Sequence, residues 1–172
     1  MNVLILGCGY VGRVLARRLI ERGERVRATT TRAVERSSLV ALGAEPMLVR
    51  PEEPESYARA MADMDAVVHL APPADRPTVR EQVAWIAAGL SPTLRTYVYG
   101  STTAAFGPVA SASNDAWVDE ATAPRTPTMR GRARLEFERA LREIGAPLHV
   151  VRIAGVYGPG RTLRDAIERD AL

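Results

Sequence analysis

Three glycines, Gly7, Gly9 and Gly12, follow directly on the apolar run Val3-Leu4-Ile5-Leu6 and open a helix-patterned stretch from Tyr10 to Arg22. A strand must end, the backbone must turn, and a helix must begin within a few residues, which is the layout of a dinucleotide-binding strand, turn and helix. The first glycine permits the turn, the second lets the backbone approach a pyrophosphate, and the third lets helix and strand pack closely. The helix N-terminus then offers unpaired N–H groups to phosphate oxygens. The competing explanation is a purely structural tight turn. A strand pattern on one side and a second strand soon after favour the ligand-binding reading.

The remainder of the chain alternates in the same manner. Strand patterns run over Asn2 to Gly7, Arg25 to Thr29, Glu45 to Val49, Ala66 to Ala71, Arg95 to Gly100 and Leu148 to Ala154. Helix patterns lie between them, at Tyr10 to Arg22, Ala33 to Leu42, Glu53 to Asp63, Thr78 to Gly89 and Thr128 to Ile144. Such alternation predicts an α/β fold, a doubly wound parallel sheet of Rossmann-like form with helices on both faces. Residues 1–172 are expected to form a single domain. Gly23, Gly43, Gly89 and Gly145 stand where left-handed residues close helices, and Thr78 stands as an N-cap. In the first helix Val11, Leu15 and Leu19 recur at helical spacing and are expected to form the buried stripe, with the arginines facing out.

Composition narrows the function. All 23 basic residues are arginine, and the net charge is a modest +3. Arg13, Arg17, Arg18 and Arg22 cluster on the first helix, but no aromatic residues alternate with them to stack on bases, so nucleic-acid binding is not expected. Arg132, Arg134, Glu136, Glu138, Arg139, Arg142 and Glu143 interleave the two signs, the pattern of a solvated helix face. Cys8 is the only cysteine and lies inside the glycine turn, where a small side chain explains it better than redox chemistry without a resolving partner. No metal ion is expected. The first apolar run is too short to span a bilayer and lacks a basic leader, which predicts a cytoplasmic protein with no membrane partner.

One connection breaks the rule of short loops. From Gly107 to Pro127 the chain is rich in Ala, Ser, Pro and Thr without a period, and it follows the fifth strand, where ligands bind in open parallel sheets. This loop is therefore expected to cover the reactive end of the cofactor, with Trp117 as an anchor.

Four further segments join the glycine turn: Val67-Val68-His69-Leu70-Ala71, Ser101-Thr102-Thr103-Ala104-Ala105-Phe106-Gly107, Val118-Asp119-Glu120 ahead of Pro124 and Pro127, and Val151-Arg152-Ile153-Ala154-Gly155-Val156-Tyr157-Gly158-Pro159-Gly160. In this order the sequence resembles the extended and atypical short-chain dehydrogenase/reductases, the NAD(P)-dependent epimerase/dehydratase group. The resemblance implies a nicotinamide dinucleotide held by Gly7, Gly9, Tyr10, Val11 and Gly12, with Leu70, Ala71 and Pro72 and then Ala154 lining its further course. It also implies a Ser or Thr beyond the fifth strand and a Tyr-x-x-x-Lys pair on the following helix.

Here the Ser/Thr place falls on Thr102, the tyrosine place on Arg130 and the lysine place on Arg134. The last two are departures, because arginine stays protonated and cannot exchange a proton at neutral pH. Arg130 and Arg134 remain candidates for anion binding, Arg134 being the one placed to reach the cofactor. Tyr157, in its Tyr-Gly-Pro-Gly turn, is a weaker substitute acid. His69 has a suitable ordinary pKa, but its place in the family pattern is structural.

Cofactor choice falls at the end of the second strand, where an acidic residue about 20 positions past the glycines holds the 2′-hydroxyl of NAD. This chain has Ala28-Thr29-Thr30-Thr31-Arg32 instead. Thr30 and Arg32 therefore predict NADP in preference to NAD. Arg13 stands equally as a second phosphate contact or as a solvent-facing helix arginine. Adenine contacts are not predicted, since Val49-Arg50-Pro51 lacks the aspartate many relatives carry there.

Relatives continue well past the Tyr-Gly-Pro-Gly turn. This chain has one amphipathic segment, Thr162 to Leu172, so the resemblance implies that the C-terminal substrate-binding part is absent. The expected activity is oxidoreductase-like, on a carbonyl or hydroxyl of a small or sugar-nucleotide substrate. A catalytically silent dinucleotide-binding sensor or partner subunit is the alternative, and a homo-oligomer is left open.

Overall fold

The computed structural model describes residues 1–75, 77–107, 118–162, 164 and 167. Six strands, β1 (Asn2–Leu6), β2 (Arg25–Thr30), β3 (Glu45–Leu48), β4 (Ala66–His69), β5 (Thr96–Thr102) and β6 (Leu148–Ile153), form one sheet in the order β3-β2-β1-β4-β5-β6. Every neighbouring pair is parallel, in registers such as Val3 with Val26, Val3 with Ala66 and Val67 with Tyr97. The chain steps outward from β1 to β3, then crosses back to β4. This reversal opens a crevice at the carboxyl ends of β1 and β4.

Among the described residues five α-helices connect the strands: α1 (Tyr10–Glu21), α2 (Arg36–Ala41), α3 (Pro54–Met61), α4 (Val79–Gly89) and α5 (Met129–Glu143). Strand side chains alternate between faces. Leu4, Leu6, Val67, Tyr97 and Tyr99 pack with Tyr57, Met61, Val83, Ile86, Phe137 and Leu141 from α3, α4 and α5. On the other face Ile5, Val26 and Ala28 pack with Ala16 of α1 and Leu39 of α2. The doubly wound architecture with helices on both faces is thus present.

Local chemistry explains most element ends. Thr78 caps α4 in a reciprocal box: its hydroxyl accepts from Glu81 N at 3.3 Å, and Glu81 Oε2 accepts from Thr78 N at 2.9 Å. Thr128 Oγ1 accepts from Gly131 N at 3.0 Å to start α5. Gly23, Gly43 and Gly145 have φ of 82°, 89° and 70°, as expected of left-handed helix-closing residues.

Three expectations need correction. Gly89 remains helical, and the reason for its lack of a side chain is packing: a Cβ there would stand 2.9 Å from Ala58 Cα on α3. The buried stripe of α1 is made by Gly12 and Ala16, while Leu15 and Leu19 only flank it, because the helix lies too close to the sheet for large side chains at its centre. The span from Ala33 to Leu42 is not one helix but a 3₁₀ turn at Ala33–Glu35 followed by α2. No side chain caps its start, and Ser38 Oγ donates to Glu35 O at 2.7 Å, competing for a carbonyl of the first turn. Trp117, expected to anchor the long loop, lies outside the described residues.

Candidate functional site

The glycine turn sits at the crevice. Gly7, at the end of β1, has φ of 90°, and a Cβ on it would stand 2.6 Å from Ala71 N, just past β4. Only glycine lets these two chain segments meet. Gly12 is similarly tight, 3.2 Å from Ile5 Cγ2, whereas a Cβ on Gly9 would meet nothing within 4 Å. The turn is therefore close-packed behind and open in front, the form needed for backbone N–H groups to face a pyrophosphate. The residues present fit a dinucleotide.

In front of this turn lies an open cleft of about 1550 Å³. Its walls include Gly7, Tyr10, Val11 and Gly12 from the turn, Leu70 and Pro72 after β4, Thr102 at the end of β5, Arg134 from α5, and Ala154 after β6. Gly107, Val118, Asp119 and Glu120 also line it, so the described ends of the long loop do border the cleft. Thr30 and Arg32 lie at the end of β2, outside the lining, with Thr30 Oγ1 accepting from Arg32 N at 3.1 Å. Ala71 serves the close contact with Gly7 rather than the cleft surface.

The three candidate reactive residues separate. Thr102 faces the cleft, and its Oγ1 accepts from Ala104 N at 3.2 Å, which leaves its O–H to donate. Arg134 also faces the cleft while Nη1 donates to Tyr99 Oη at 3.1 Å and to Gly100 O at 3.3 Å. These contacts fix a guanidinium beside the end of β5. Arg130, one turn earlier on α5, is exposed and is not part of the cleft lining. Tyr157 is 80% exposed and is not among the residues that line the cleft. Instead the turn is tied to Tyr10, whose Oη donates to Pro159 O at 3.1 Å, with Arg161 stacked over the Tyr10 ring at 5.8 Å.

His69 is fully buried, sharing a 2.8 Å hydrogen bond between Nδ1 and Tyr97 Oη and meeting Tyr99 and Phe137 edge-on. Burial, assisted by the nearby Arg134 charge, lowers its pKa to about 3, so it is a neutral core residue. Burial likewise pushes the Cys8 thiol up, against the opposing effect of Arg13.

Sequence reading missed a second layer beneath the cleft. Glu138, taken there as part of a solvated face, is 1% exposed. It accepts from Ser101 Oγ at 2.6 Å, and from Arg152 Nη2 at 2.8 Å and Nε at 3.2 Å. Burial by itself would raise its pKa, but the hydrogen bonds from Arg152 and Ser101 and the charges of Arg152 and Arg142 outweigh it and hold the carboxyl below its usual range. Arg152 also lies over the Phe106 ring at 4.9 Å. The available signal was spacing: Arg134, Glu138 and Leu141 share one face of α5. Arg13 is another departure, half-buried and ion-paired to Glu35 rather than facing solvent.

Among the described residues no three or more His, Cys, Asp or Glu side chains group to hold a metal ion, and no helix is long and apolar enough to cross a membrane. The sheet order and the glycine turn at its switch point define a nicotinamide-dinucleotide type of Rossmann domain. The NAD dependent epimerase/dehydratase family matches over residues 3–170, and the chain belongs to that family.

Solved structures agree on the fold. A functionally unknown conserved protein from Silicibacter pomeroyi DSS is 33% identical with a TM-score of 0.77, and the match covers 96% of this chain and 56% of that one. A short-chain dehydrogenase/reductase superfamily protein from Agrobacterium tumefaciens with bound NAD is 18% identical, TM-score 0.68, covering 91% and 49%. The triphenylmethane reductase of Citrobacter sp. complexed with NADP(H) is 16% identical, TM-score 0.66, covering 98% and 55%. The chain thus spans about half the length of these proteins. A comparison with proteins of curated function gave no match.

Proposed function

We propose that this chain binds NADP(H) and acts as an oxidoreductase on a carbonyl or hydroxyl group of a small or sugar-nucleotide substrate. The observation that carries the reading is the convergence of Thr102 and Arg134 on the cleft bordered by the glycine turn. The backbone from Gly7 to Gly12 would hold the pyrophosphate. Arg32, with Thr30, would meet the 2′-phosphate. Leu70, Pro72 and Ala154 would line the way to the reactive end. When bound, the dinucleotide supplies hydride exchange.

The protein's part is polar and electrostatic. Thr102 donates its O–H to the substrate oxygen and orients it. Arg134, held by Tyr99 and Gly100, places a permanent positive charge where alkoxide character develops. Neither a threonine hydroxyl nor a guanidinium exchanges a proton at neutral pH, so water delivers the proton, and the rate falls roughly 10²- to 10⁴-fold below that of a site with a general acid. A second reading rests on Arg130: with an exposed arginine at the tyrosine place, the chain would bind the dinucleotide without turnover, as a sensor or partner subunit.

Titration with NADPH and NADH, followed by NADPH oxidation against a panel of aldehydes and ketones, tests both. We expect NADPH to bind tighter, Arg32→Ala to erase the difference, and a slow carbonyl-dependent oxidation that Thr102→Ala and Arg134→Ala each abolish. Binding without turnover supports the second reading. Tighter NADH binding removes the 2′-phosphate assignment, and fast turnover surviving both substitutions removes Thr102 and Arg134 from the chemistry.

A further inference from the structure

Beside the end of β2 stand two residues that the cofactor reading leaves unused, Glu35 and Arg13. Arg13 on α1 and Arg32 just past β2 are ion-paired to the same carboxylate, Glu35, Arg13 through Oε2 and Arg32 through Oε1. Arg13 Nη2 also donates to Ser38 Oγ at 2.9 Å. Thr30 Oγ1, beside them, accepts from Arg32 N at 3.1 Å. Two guanidiniums and the Ser38 hydroxyl thus gather around one anionic group, with Thr30 holding the Arg32 backbone. Forked arginine donors with short hydroxyls are the equipment of phosphate recognition, not of a helix start. The Glu35 side chain caps no helix: neither the 3₁₀ turn it ends nor α2, which it precedes, has a side-chain cap bond, so its carboxylate is engaged by the two arginines and Ser38.

Charge decides what the cluster wants. Two arginines against one carboxylate leave a net positive charge, whereas a phosphate monoester brings about −1.5 to −2 and three acceptor oxygens. A phosphate therefore matches the pair better than the carboxylate does, but it must first displace it. Glu35 is partly exposed, in a turn without buried residues, and belongs to neither core cluster.

We infer that Glu35 is an internal competitor for the 2′-phosphate of NADP(H), occupying Arg13 and Arg32 in the free protein and setting how strongly the phosphorylated dinucleotide is preferred. The inference rests on the assignment of Arg32 to the 2′-phosphate. It makes Glu35 and Arg13 specificity-determining residues, and it gives the chain a cofactor preference weaker than its two arginines alone would confer. Free in solution, the same pair holds its own counter-ion, so NADP(H) binding exchanges one anion for another and depends on salt less than two open arginines would.

The test is the affinity of wild type, Glu35→Gln, Glu35→Asp and Arg32→Gln for NADPH, NADH and adenosine 2′,5′-bisphosphate, at low and high salt. Removing two partly exposed ion pairs predicts that Glu35→Gln tightens NADPH and the bisphosphate by roughly 3- to 10-fold. NADH affinity stays unchanged, and the salt dependence of NADPH binding steepens. Glu35→Asp, with a retracted carboxylate, falls between. Unchanged or weaker NADPH binding in Glu35→Gln overturns the competitor role, and so does weaker NADH binding, which would make Glu35 a ribose ligand. Arg32→Gln separates the two assignments. If it leaves NADPH affinity intact, the 2′-phosphate reading itself is wrong; if it weakens NADPH while Glu35→Gln changes nothing, only the competitor is.

Discussion

His69 and Glu138 show how differently two buried titratable groups are held. His69 is enclosed by Tyr97, Tyr99 and Phe137 with no opposite charge beside it, and its pKa falls to about 3. Unfolded, the same imidazole takes a proton near 6.5. Stability is therefore complete above about pH 6.5 and is lost as the pH falls towards 3, at up to ~1.4 kcal/mol per pH unit. Glu138, its pKa lowered by its arginine partners, adds a loss of the same sign only below its ordinary value of 4.5. The window between the two isolates the histidine. Urea denaturation at stepped pH should show that slope in the wild type and a flatter one in His69→Gln; equal slopes would mean the imidazole is not buried neutral.

Among the elements, α3 and α4 join side-chain contacts, such as the Tyr57 and Trp85 rings at 6.3 Å, to a close backbone approach at Gly89. Gly89 permits this, because its missing Cβ is the space Ala58 occupies. Helix propensity alone favours Gly89→Ala by about 1 kcal/mol. The contact at 2.9 Å is with main chain, which cannot rotate aside, so the helices must separate, and overpacking of this kind costs about 1–3 kcal/mol. We expect a net lower midpoint in denaturant for Gly89→Ala, whereas Gly23→Ala, at a left-handed position with no atom within 4 Å, should lose stability through backbone strain alone. A stabilised Gly89→Ala protein would show that α3 and α4 are loosely joined. The starts of α4 and α5 and the ends of α1, α2 and α5 were readable because each is written locally: the Thr78 and Glu81 box, the Thr128 cap, and Gly23, Gly43 and Gly145 at positive φ.

For the whole molecule, the sheet places the glycine turn of β1, the segment after β4, Thr102 of β5 and Ala154 after β6 along one edge, so a dinucleotide laid there would tie four strands together. Binding only the folded state stabilises by RT ln(1 + [L]/Kd), about 2.7 kcal/mol at a hundredfold excess over Kd. For a chain of this size that corresponds to a rise in Tm of roughly 5–10 °C. Differential scanning with NADPH should show such a shift, and Gly9→Val, which fills the open front of the turn, should abolish it while leaving the unliganded Tm nearly unchanged. No shift in the wild type would remove dinucleotide binding from the account.

The α/β alternation, the parallel sheet and the glycine turn were legible in the sequence because periodicity and turn chemistry act over a few residues. The fate of the charges was not. Glu138 read as part of a solvated helix face, and it became a buried carboxylate through Ser101 and Arg152, 37 and 14 residues away; Arg134, which the family pattern already set near the cofactor, is held there by Tyr99, 35 residues earlier. Arg13 and Arg32 met over Glu35 only when α1 was laid beside the end of β2. Tyr157 stands outside the cleft lining, in a turn bound to Tyr10, 147 positions earlier. A charged or phenolic side chain costs so much to bury unpaired that its place depends on which distant partner the fold delivers to it.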